Sequence, residues 1–392
     1  MVLKYPFPYN AWFTIANDPD NTNIKDWREL DKFIWQELGL PISNSLFVRS
    51  YNANLPDQVN LFQHPEITSQ WHDIIHTWGD YMHSRGKGFD REDAEEAIKI
   101  LKAHGVSPKV WIDHADFIGN LLHNSQKGAL PYTKDLSGHQ YKIYTYTLDL
   151  IKQIGIHYIW DGELTEIVGQ DRAVNSWKYF SDISTSRLKA VVKFILLRLL
   201  PEKFVLLLKM KIPQNRQYFV EKFPDGNSFY CFRRYGTWKD ADIYGLGNII
   251  DSKVIDQLID QNGTMVTYTH LGKRPFDRLQ ESFHIPDKTR EALTYIRKKF
   301  DEQQLMVSPI SQMLDYLVIR DHIKIDESKS TVHFYPDGIR YEKLELEDLG
   351  DHVFSFRSSK VNANALKVFL GQKEVPFHLV KHKSDIFSIR FE

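Results

Sequence analysis

The chain is nearly free of cysteine. It has 392 residues and a single cysteine, Cys231, which excludes an intramolecular disulfide framework. So few thiols are typical of a protein that works in a reducing compartment. The first residues, Met-Val-Leu-Lys-Tyr-Pro, lack the apolar core of a secretory signal. We therefore expect a cytoplasmic protein.

An excess of charge of one sign is also absent. The chain carries 50 Lys and Arg against 51 Asp and Glu, which gives a formal net charge of −1. It lacks the overall basic surplus that is typical of nucleic-acid binding, so we expect no nucleic-acid partner. Aromatic residues, in contrast, are abundant at 13%. They suit a site that stacks sugar rings, although most aromatic side chains in any globular protein pack in the core.

No uncharged apolar run is long enough to span a bilayer. The most apolar segment, residues 189–212, is split by Pro201 and interrupted by charges such as Lys193 and Arg198. Two short helices that are both basic and apolar would suit a peripheral position at the inner face of a membrane. The alternative is a helix pair that packs on the barrel or in an oligomer contact, and the oligomeric state stays open.

Apolar runs alternate with helical patterns through most of the chain. The strand candidates are residues 12–16, 45–51, 73–76, 109–112, 158–160, 229–233 and 265–268. The helix candidates are residues 26–38, 90–104, 145–154, 250–261, 288–303 and 308–319. This alternation predicts parallel βαβ units in an α/β fold. We expect a distorted barrel of about seven or eight β/α units.

The composition changes near residue 325. From Ser330 the helical period disappears, and short alternating runs follow that are separated by turns such as Pro336-Asp337-Gly338. We expect residues 1–325 to form the barrel domain, with residues 189–212 as a helical insertion. Residues 326–392 are predicted to form a small antiparallel β domain at the C-terminus.

Two carboxylates follow the first predicted strand. Residues 12–16 read Trp-Phe-Thr-Ile-Ala, which is typical of a buried strand, and Asn-Asp-Pro-Asp-Asn follows as a loop. Asp18 and Asp20 stand on either side of Pro19 at the carboxyl end of that strand, where barrel-type proteins hold their active sites. One carboxylate could hold a metal while the other takes a proton. The alternative is an Asx-type turn in a solvated loop.

A histidine and a carboxylate follow another predicted strand. Residues 73–80 read Asp-Ile-Ile-His-Thr-Trp-Gly-Asp. On a regular strand His76 and Asp80 would lie about 13 Å apart, so they can share a metal only if the chain turns, which Gly79 permits. Imidazole together with carboxylates suits zinc and also other divalent ions.

These motifs resemble the polysaccharide deacetylase (NodB-like) superfamily over roughly residues 10–320. A late Thr-Tyr-Thr-His run, residues 267–270, resembles the family's Leu-x-x-His motif. The resemblance implies a NodB-type barrel in which Asp18 is the catalytic base and His270 the catalytic acid. It also implies that Asp20, His76 and Asp80 hold the metal.

The chain departs from the family pattern at three points. Pro19 separates two carboxylates that are adjacent in the family. Asp80 stands where the family has its second metal-binding histidine, so His83 or His114 could complete the metal site instead. The family's Arg-x-Pro-Tyr motif is absent, and Lys-Val-Trp-Ile-Asp-His at residues 109–114 takes its place.

Further polar or aromatic side chains lie at or after the ends of predicted strands. Because the carboxyl ends of parallel strands meet at one edge of a sheet, these side chains are candidates for substrate contact. Their joint position is a stronger signal than any one of them. The candidates are His83, Arg85, Trp111, Asp113, His114, Glu163 and Arg233.

The resemblance implies a metal-dependent hydrolase that acts on carbohydrate. We expect N-deacetylation of an acylated amino sugar in surface polysaccharide synthesis, on a substrate that could be lipid-linked. The cofactor would be one divalent metal ion, with zinc as the first choice. Manganese and magnesium are alternatives, because one histidine with two carboxylates accepts them nearly as readily.

Two other functions remain open. Asp113, Asp161 and Glu163 could form the carboxylate pair of a glycosidase, which requires carboxyl groups about 5 Å or about 6.5–9.5 Å apart. Alternatively, the barrel could be catalytically inactive and serve in sugar binding or in docking to a membrane or partner. An arginine paired with Asp18 would favour this last function.

Overall fold

The computed structural model describes most of the chain. The described residues are 1–19, 22–50, 72–76, 78–80, 91–112, 132–134, 140–142, 147–160, 164–172, 188, 191, 195, 199, 215–223, 226–273, 282–340, 343–350 and 352–391. For residues 49–50, 79–80, 132–134, 140–142 and 363 the description covers the backbone alone.

The described strands are numbered in chain order. They are β1 Ala11–Asn17, β2 Ser43–Leu46, β3 Arg49–Ser50, β4 Ile74–His76, β5 Gly79–Asp80, β6 Val110–Ile112, β7 Tyr132–Lys134, β8 Gln140–Lys142, β9 Tyr158–Trp160, β10 Leu164–Thr165, β11 Tyr218–Lys222, β12 Ser228–Phe232, β13 Arg234–Tyr235, β14 Thr264–Thr269, β15 Leu305–Val307, β16 Ile323–Asp326, β17 Thr331–Phe334, β18 Val353–Arg357, β19 Lys367–Leu370, β20 Lys373–Glu374, β21 His378–Lys381 and β22 Ile386–Arg390.

The described α-helices alternate with the strands in the first part of the chain. They are α1 Ile24–Leu30, α2 Arg91–Ala103, α3 Leu148–Gln153, α4 Ile243–Ile249, α5 Ser252–Asp260, α6 Asp287–Asp301, α7 Ile310–Asp321 and α8 Leu346–Leu349. A π-helix, Asp31–Glu37, continues α1, and a 3₁₀ turn covers Ala363–Ala365. Side chains of Asn23, Asp242 and Asp251 cap the first turns of α1, α4 and α5, as short polar residues do at helix starts.

The largest sheet has 11 strands and curls into a half-barrel. Its strands follow the order β10-β13-β14-β1-β2-β4-β6-β9-β12-β11, and β15 pairs with the first half of β1. The pairs from β10 to β12 are parallel, whereas β11 is antiparallel to β12. The predicted mixed α/β architecture with a parallel sheet is therefore confirmed, and a closed barrel stays a prediction.

The two faces of this sheet pack against different partners. In β1, the side chains of Phe13 and Ile15 lie in an apolar cluster with α4, α5 and α6. Trp12 and Ala16 point to the other, concave face. Alternation along a strand explains this division, and the same rule sends Trp111 of β6 to the helix-covered face with α2 and α3.

Helix α7 fills the concave face. Apart from the half-buried Gln312 and Arg320 and the exposed last residue, Asp321, its side chains are buried. It packs between the large sheet and the two small sheets of the C-terminal region, in an apolar cluster that contains Trp12, Leu317, Phe334 and Phe354. The Ser43 hydroxyl of β2 accepts a hydrogen bond from the backbone N–H of Ile310 at 2.6 Å. The start of α7 is thereby fixed to the sheet.

The C-terminal region forms two small sheets. One has the order β16-β17-β19-β20 and the other β18-β22-β21. The predicted small antiparallel sheets are confirmed with one exception, because β17 and β19 run parallel. A long connection that contains β18 lets the chain return in the same direction. Strand β16 starts at Ile323, just before the predicted boundary at residue 325.

A buried polar network joins α7 to the amino-terminal ends of β6 and β9. The Asp315 carboxylate accepts hydrogen bonds from the Tyr158 hydroxyl at 2.7 Å and from Lys109 Nζ at 3.0 Å. Arg340 forms an ion pair with the same carboxylate and donates to the Tyr158 hydroxyl at 2.8 Å. His352 lines a cavity of about 280 Å³ beside Lys109 and Asp315. Burial and the positive charges of Arg340 and Lys109 lower the pKa of His352 to about 3.

We expect replacement of Leu317 by alanine to destabilise the protein by about 2–5 kcal/mol, because the side chain is fully buried in α7 and leaves a cavity. Val220→Ala, at a side chain that is 51% exposed, should change the free energy of unfolding by less than about 0.5 kcal/mol. Urea denaturation of both variants measures the difference. Equal effects would contradict the central position of α7.

His352 also makes stability depend on pH. An unfolded histidine binds a proton below about pH 6.5, whereas folded His352, with a pKa of about 3, stays neutral. Between these values the unfolded state binds more protons, so the free energy of unfolding should fall as the pH is lowered.

In His352→Gln the free energy of unfolding should therefore fall less steeply as the pH is lowered from about 7 to about 4.5. Part of the slope should remain, because burial also lowers the pKa of His157 to about 3. Denaturant titrations across this pH range test the expectation, with the exposed His378→Gln as control. A slope that His352→Gln leaves unchanged would contradict it.

Candidate active site at the carboxyl ends of the sheet

Six polar or aromatic side chains gather on the concave face where the parallel strands end. Because side chains alternate along a strand, these six point to the same side of the sheet as Ala16, Ile74, Ile112 and Val266, which pack in the concave interior. All six are at most 6% exposed. They are Asp18, His76, Trp160, Arg234, Tyr268 and His270.

Asp18 lies at the centre of this group. Its backbone N–H donates to the Thr269 carbonyl at 3.0 Å, which extends the β1–β14 ladder by one residue. Its carboxylate Oδ2 accepts a hydrogen bond from Arg234 Nη2 at 2.9 Å, and Oδ1 accepts one from the Ser45 hydroxyl at 3.2 Å. The carboxylate is thus fixed by donors from two other strands, β13 and β2.

Arg234 is a fully buried cation between two aromatic rings. Its guanidinium lies 4.4 Å from the Trp160 ring and 4.3 Å from the Tyr268 ring. Nη2 also donates to the Ala16 carbonyl at 2.8 Å. In the part of the chain that the structure describes, Nε and Nη1 have no hydrogen-bond partner. Cation–π contacts and the Asp18 carboxylate compensate its lost hydration.

His76, at the end of β4, faces the same carboxylate. Its Nε2 lies 4.0 Å from Asp18 Oδ2, which is beyond direct hydrogen-bond distance. The Phe47 ring packs against the imidazole with 4.6 Å between ring centroids. A buried imidazole beside a carboxylate is an arrangement that can bind a metal or move a proton.

The contacts of His270 define its tautomer. Nδ1 lies 2.7 Å from the Ala241 carbonyl, and because a carbonyl only accepts, Nδ1 must carry a proton. In the neutral ring Nε2 is then the acceptor, and the Tyr268 hydroxyl lies 3.4 Å away from it. An acid role for Nε2 consequently requires the doubly protonated ring.

Two further contacts fix the loops around the site. Asn17, the last residue of β1, donates to Asn44 Oδ1 at 2.9 Å and accepts from the Leu271 backbone N–H at 2.8 Å. A Cβ at Gly272 would lie 2.1 Å from Thr22 Oγ1, so the loop after β14 approaches the loop after β1 closely there. Asp18 and His270 are therefore held by loops that contact each other.

The expected metal ligands are only partly described. Of the three, His76 has a described side chain, Asp80 has a described backbone, and Asp20 lies outside the described residues. No group of three or more His, Cys, Asp or Glu residues that could hold a metal ion occurs within the described ranges. The ligand set Asp20, His76 and Asp80 consequently stays a prediction, whose donor chemistry suits zinc and manganese.

Several other predicted site residues also lie outside the described residues, so their placement stays a prediction. They are His83, Arg85, Asp113, His114, Asp161 and Glu163.

Two predicted substrate contacts need correction. Trp111 has no exposed surface and packs edge-on against Trp78, with 4.9 Å between ring centroids, in the core beneath α2 and α3. Arg233 donates to the Arg216 carbonyl at 3.1 Å and lies over Phe219. Both side chains leave the sheet on the side away from Asp18, because neighbours along a strand alternate.

Arg233 and Arg234 both follow an aromatic strand and both could hold an anionic group, but Arg234 is the one that reaches Asp18. Counting the strand alternation outward from Tyr235, which packs with the helices, would have placed Arg234 on the concave face. Ser45 could have been found in the same way, two residues after Ser43. Trp238 adds an exposed ring, 64% accessible, against Trp160 and Tyr268.

We expect Arg234→Met to destabilise the protein by about 3–5 kcal/mol, because it leaves the buried Asp18 carboxylate without its cation. Adding Asp18→Asn should recover part of this loss, since the remaining amide carries no charge. A double-mutant cycle by urea denaturation measures the coupling. Strictly additive losses would contradict a direct interaction between the two side chains.

Comparison with known proteins adds no further assignment. No protein-family model matches the chain, and no curated protein is significantly similar to it. The residues of this site are therefore the basis for assigning a function, and the resemblance to polysaccharide deacetylases rests on the sequence motifs that contain them.

Proposed function

We propose that this protein is a metal-dependent hydrolase that removes the acyl group from an N-acylated amino sugar. The proposal is supported most by the approach of His76 to within 4.0 Å of Asp18 at the carboxyl ends of the sheet. His270 follows β14, the direct neighbour of β1. The residues assigned to base, metal ligand and acid thus come from strand ends that meet at one edge.

In this proposal the chain's own residues move the protons. Asp18 takes a proton from the attacking water, and its orientation is set by Arg234 and Ser45. His270, with Nδ1 held by Ala241, enters the reaction doubly protonated and donates from Nε2 to the leaving amine. Burial of both groups excludes bulk water from the step.

Asp20, His76 and Asp80 would hold the metal ion, with His114 or His83 as alternatives to Asp80. A divalent metal supplies polarisation of the acyl oxygen and of the attacking water. A second carboxylate in place of histidine strengthens binding and reduces Lewis acidity, so slow turnover is expected. A complete NodB-type barrel around the site belongs to the same proposal.

The Asp18–Arg234 ion pair favours a second function. A carboxylate that is bound by a buried guanidinium suits a catalytically inactive barrel that binds sugars. The exposed Trp238 ring next to Tyr268 would serve such binding as well. Ion pairing does not exclude catalysis, however, because a carboxylate offers about four acceptor positions, and the described protein donors occupy two of them.

The proposed setting is the synthesis of a surface polysaccharide, with the protein in the cytoplasm and the substrate either free or lipid-linked. Among the described residues, no helix has the length and apolar character needed to cross a membrane.

Metal content distinguishes the proposed hydrolase from the catalytically inactive sugar-binding protein. The wild-type protein, loaded with zinc, manganese or cobalt, should bind one equivalent, whereas His76→Ala and Asp20→Ala should bind none. His378→Ala, in the C-terminal strand β21, is the matched control and should bind like the wild type. A wild-type protein that binds no metal would contradict the hydrolase.

Turnover tests the role of Asp18. Release of free amine from N-acetylated amino-sugar oligosaccharides should fall by a factor of about 10²–10⁴ in Asp18→Asn, because the general base is lost, while metal content is unchanged. A metal-loaded wild type that binds the oligosaccharides without releasing amine would support the inactive sugar-binding protein instead. Full activity of Asp18→Asn would contradict the assigned base.

A further inference from the structure

Four large apolar side chains among the described residues between 188 and 199 are exposed. Leu188, Val191, Ile195 and Leu199 are helical, and they are 73%, 37%, 50% and 75% exposed. Their spacings of three and four residues are those of side chains that share one face of a helix. Three of these positions fall within residues 189–212, the most apolar segment of the sequence, and Leu188 directly precedes it.

Exposed apolar surface is concentrated on the face formed by Leu188, Val191, Ile195 and Leu199. The described part of the chain has nine exposed large apolar side chains, and four of them belong to this face. Single exposed apolar side chains are normal, but a contiguous stripe marks an interaction surface.

The net charge of residues 187–212 indicates what kind of partner this face binds. Residues 187–212 contain seven Lys and Arg residues and one Glu, Glu202, so the segment carries a net charge of +6. The rest of the chain carries −7. An anionic surface would attract this segment and repel the remainder of the protein, which also sets the orientation of binding.

We propose that the face formed by Leu188, Val191, Ile195 and Leu199 docks on the surface of a bilayer that contains anionic lipids. The four aliphatic side chains enter the boundary between headgroups and acyl chains, and the positive net charge of residues 187–212 adds electrostatic attraction to lipid phosphates. A second copy of the chain is a poorer occupant, because two segments of charge +6 would repel each other.

This inference does not depend on the proposed catalysis, since none of its residues belongs to the site around Asp18. If both proposals hold, docking would bring the enzyme to a lipid-linked substrate and raise its local concentration.

Co-sedimentation with vesicles tests the docking. The full chain should bind vesicles of phosphatidylglycerol and phosphatidylcholine in equal parts, and should bind vesicles of phosphatidylcholine alone at least about tenfold more weakly. High salt should weaken binding to the anionic vesicles, because it screens the attraction between surface charges.

The variant Ile195→Glu/Leu199→Glu should lose binding to the anionic vesicles. The matched control is Val220→Glu/Val380→Glu, which adds the same charge at two other exposed valines, 51% and 40% accessible, and should bind like the wild type. Circular dichroism checks that both variants are folded.

Three outcomes would overturn the proposal. The wild type could fail to sediment with anionic vesicles, or it could bind both kinds of vesicle equally. Alternatively, the wild type could be a dimer by light scattering that Ile195→Glu/Leu199→Glu converts to a monomer without any vesicle binding, which would assign the face to a second copy.

Discussion

The buried ion pair between Arg234 and Asp18 is the constraint on which the carboxyl end of the sheet depends. A guanidinium and a carboxylate that are both inaccessible to solvent lose several kcal/mol of hydration, so neither tolerates the loss of the other. Arg234 also donates to Ala16 and lies between Trp160 and Tyr268. One cation thus fixes the relative positions of β13, β1, β9 and β14 where the candidate site is built.

The two ends of the curled sheet are both polar, but they differ in what their polar groups can do. At the amino-terminal end, the Asp315 carboxylate contacts Tyr158, Lys109 and Arg340. These contacts neutralise its charge and hold α7 and the C-terminal region together. At the carboxyl end, Asp18 has one cation and one hydroxyl as described donors. Because α7 fills the concave face between them, the proposed chemistry is confined to the carboxyl end.

Local sequence predicted the strands and the candidate residues at their ends because each strand is a short apolar run that is followed by polar residues. Asp18, His76 and His270 were placed this way. To predict which face of the sheet a side chain occupies, the alternation along the strand must be counted from a known core residue. Arg233 and Trp111 were predicted as substrate contacts without this count. Two features depend on long-range contacts that no local pattern encodes. Strand β17 pairs with β19 in parallel, and β1 pairs with β15 along its first half and with β2 at its end.

Whether Asp18 works as a base depends on how its two oxygens differ. Oδ2 accepts a hydrogen bond from the Arg234 cation at 2.9 Å and faces His76, whereas Oδ1 accepts a longer bond from a neutral hydroxyl at 3.2 Å. The bond at Oδ2 is shorter and joins two opposite charges, so Oδ2 is the more firmly held oxygen. A proton taken from water would thus bind at Oδ1, where the Ser45 hydroxyl can rotate and become the acceptor. Arg234 orients the carboxylate through one oxygen and leaves the other able to exchange a proton, which reconciles the ion pair with the proposed hydrolysis.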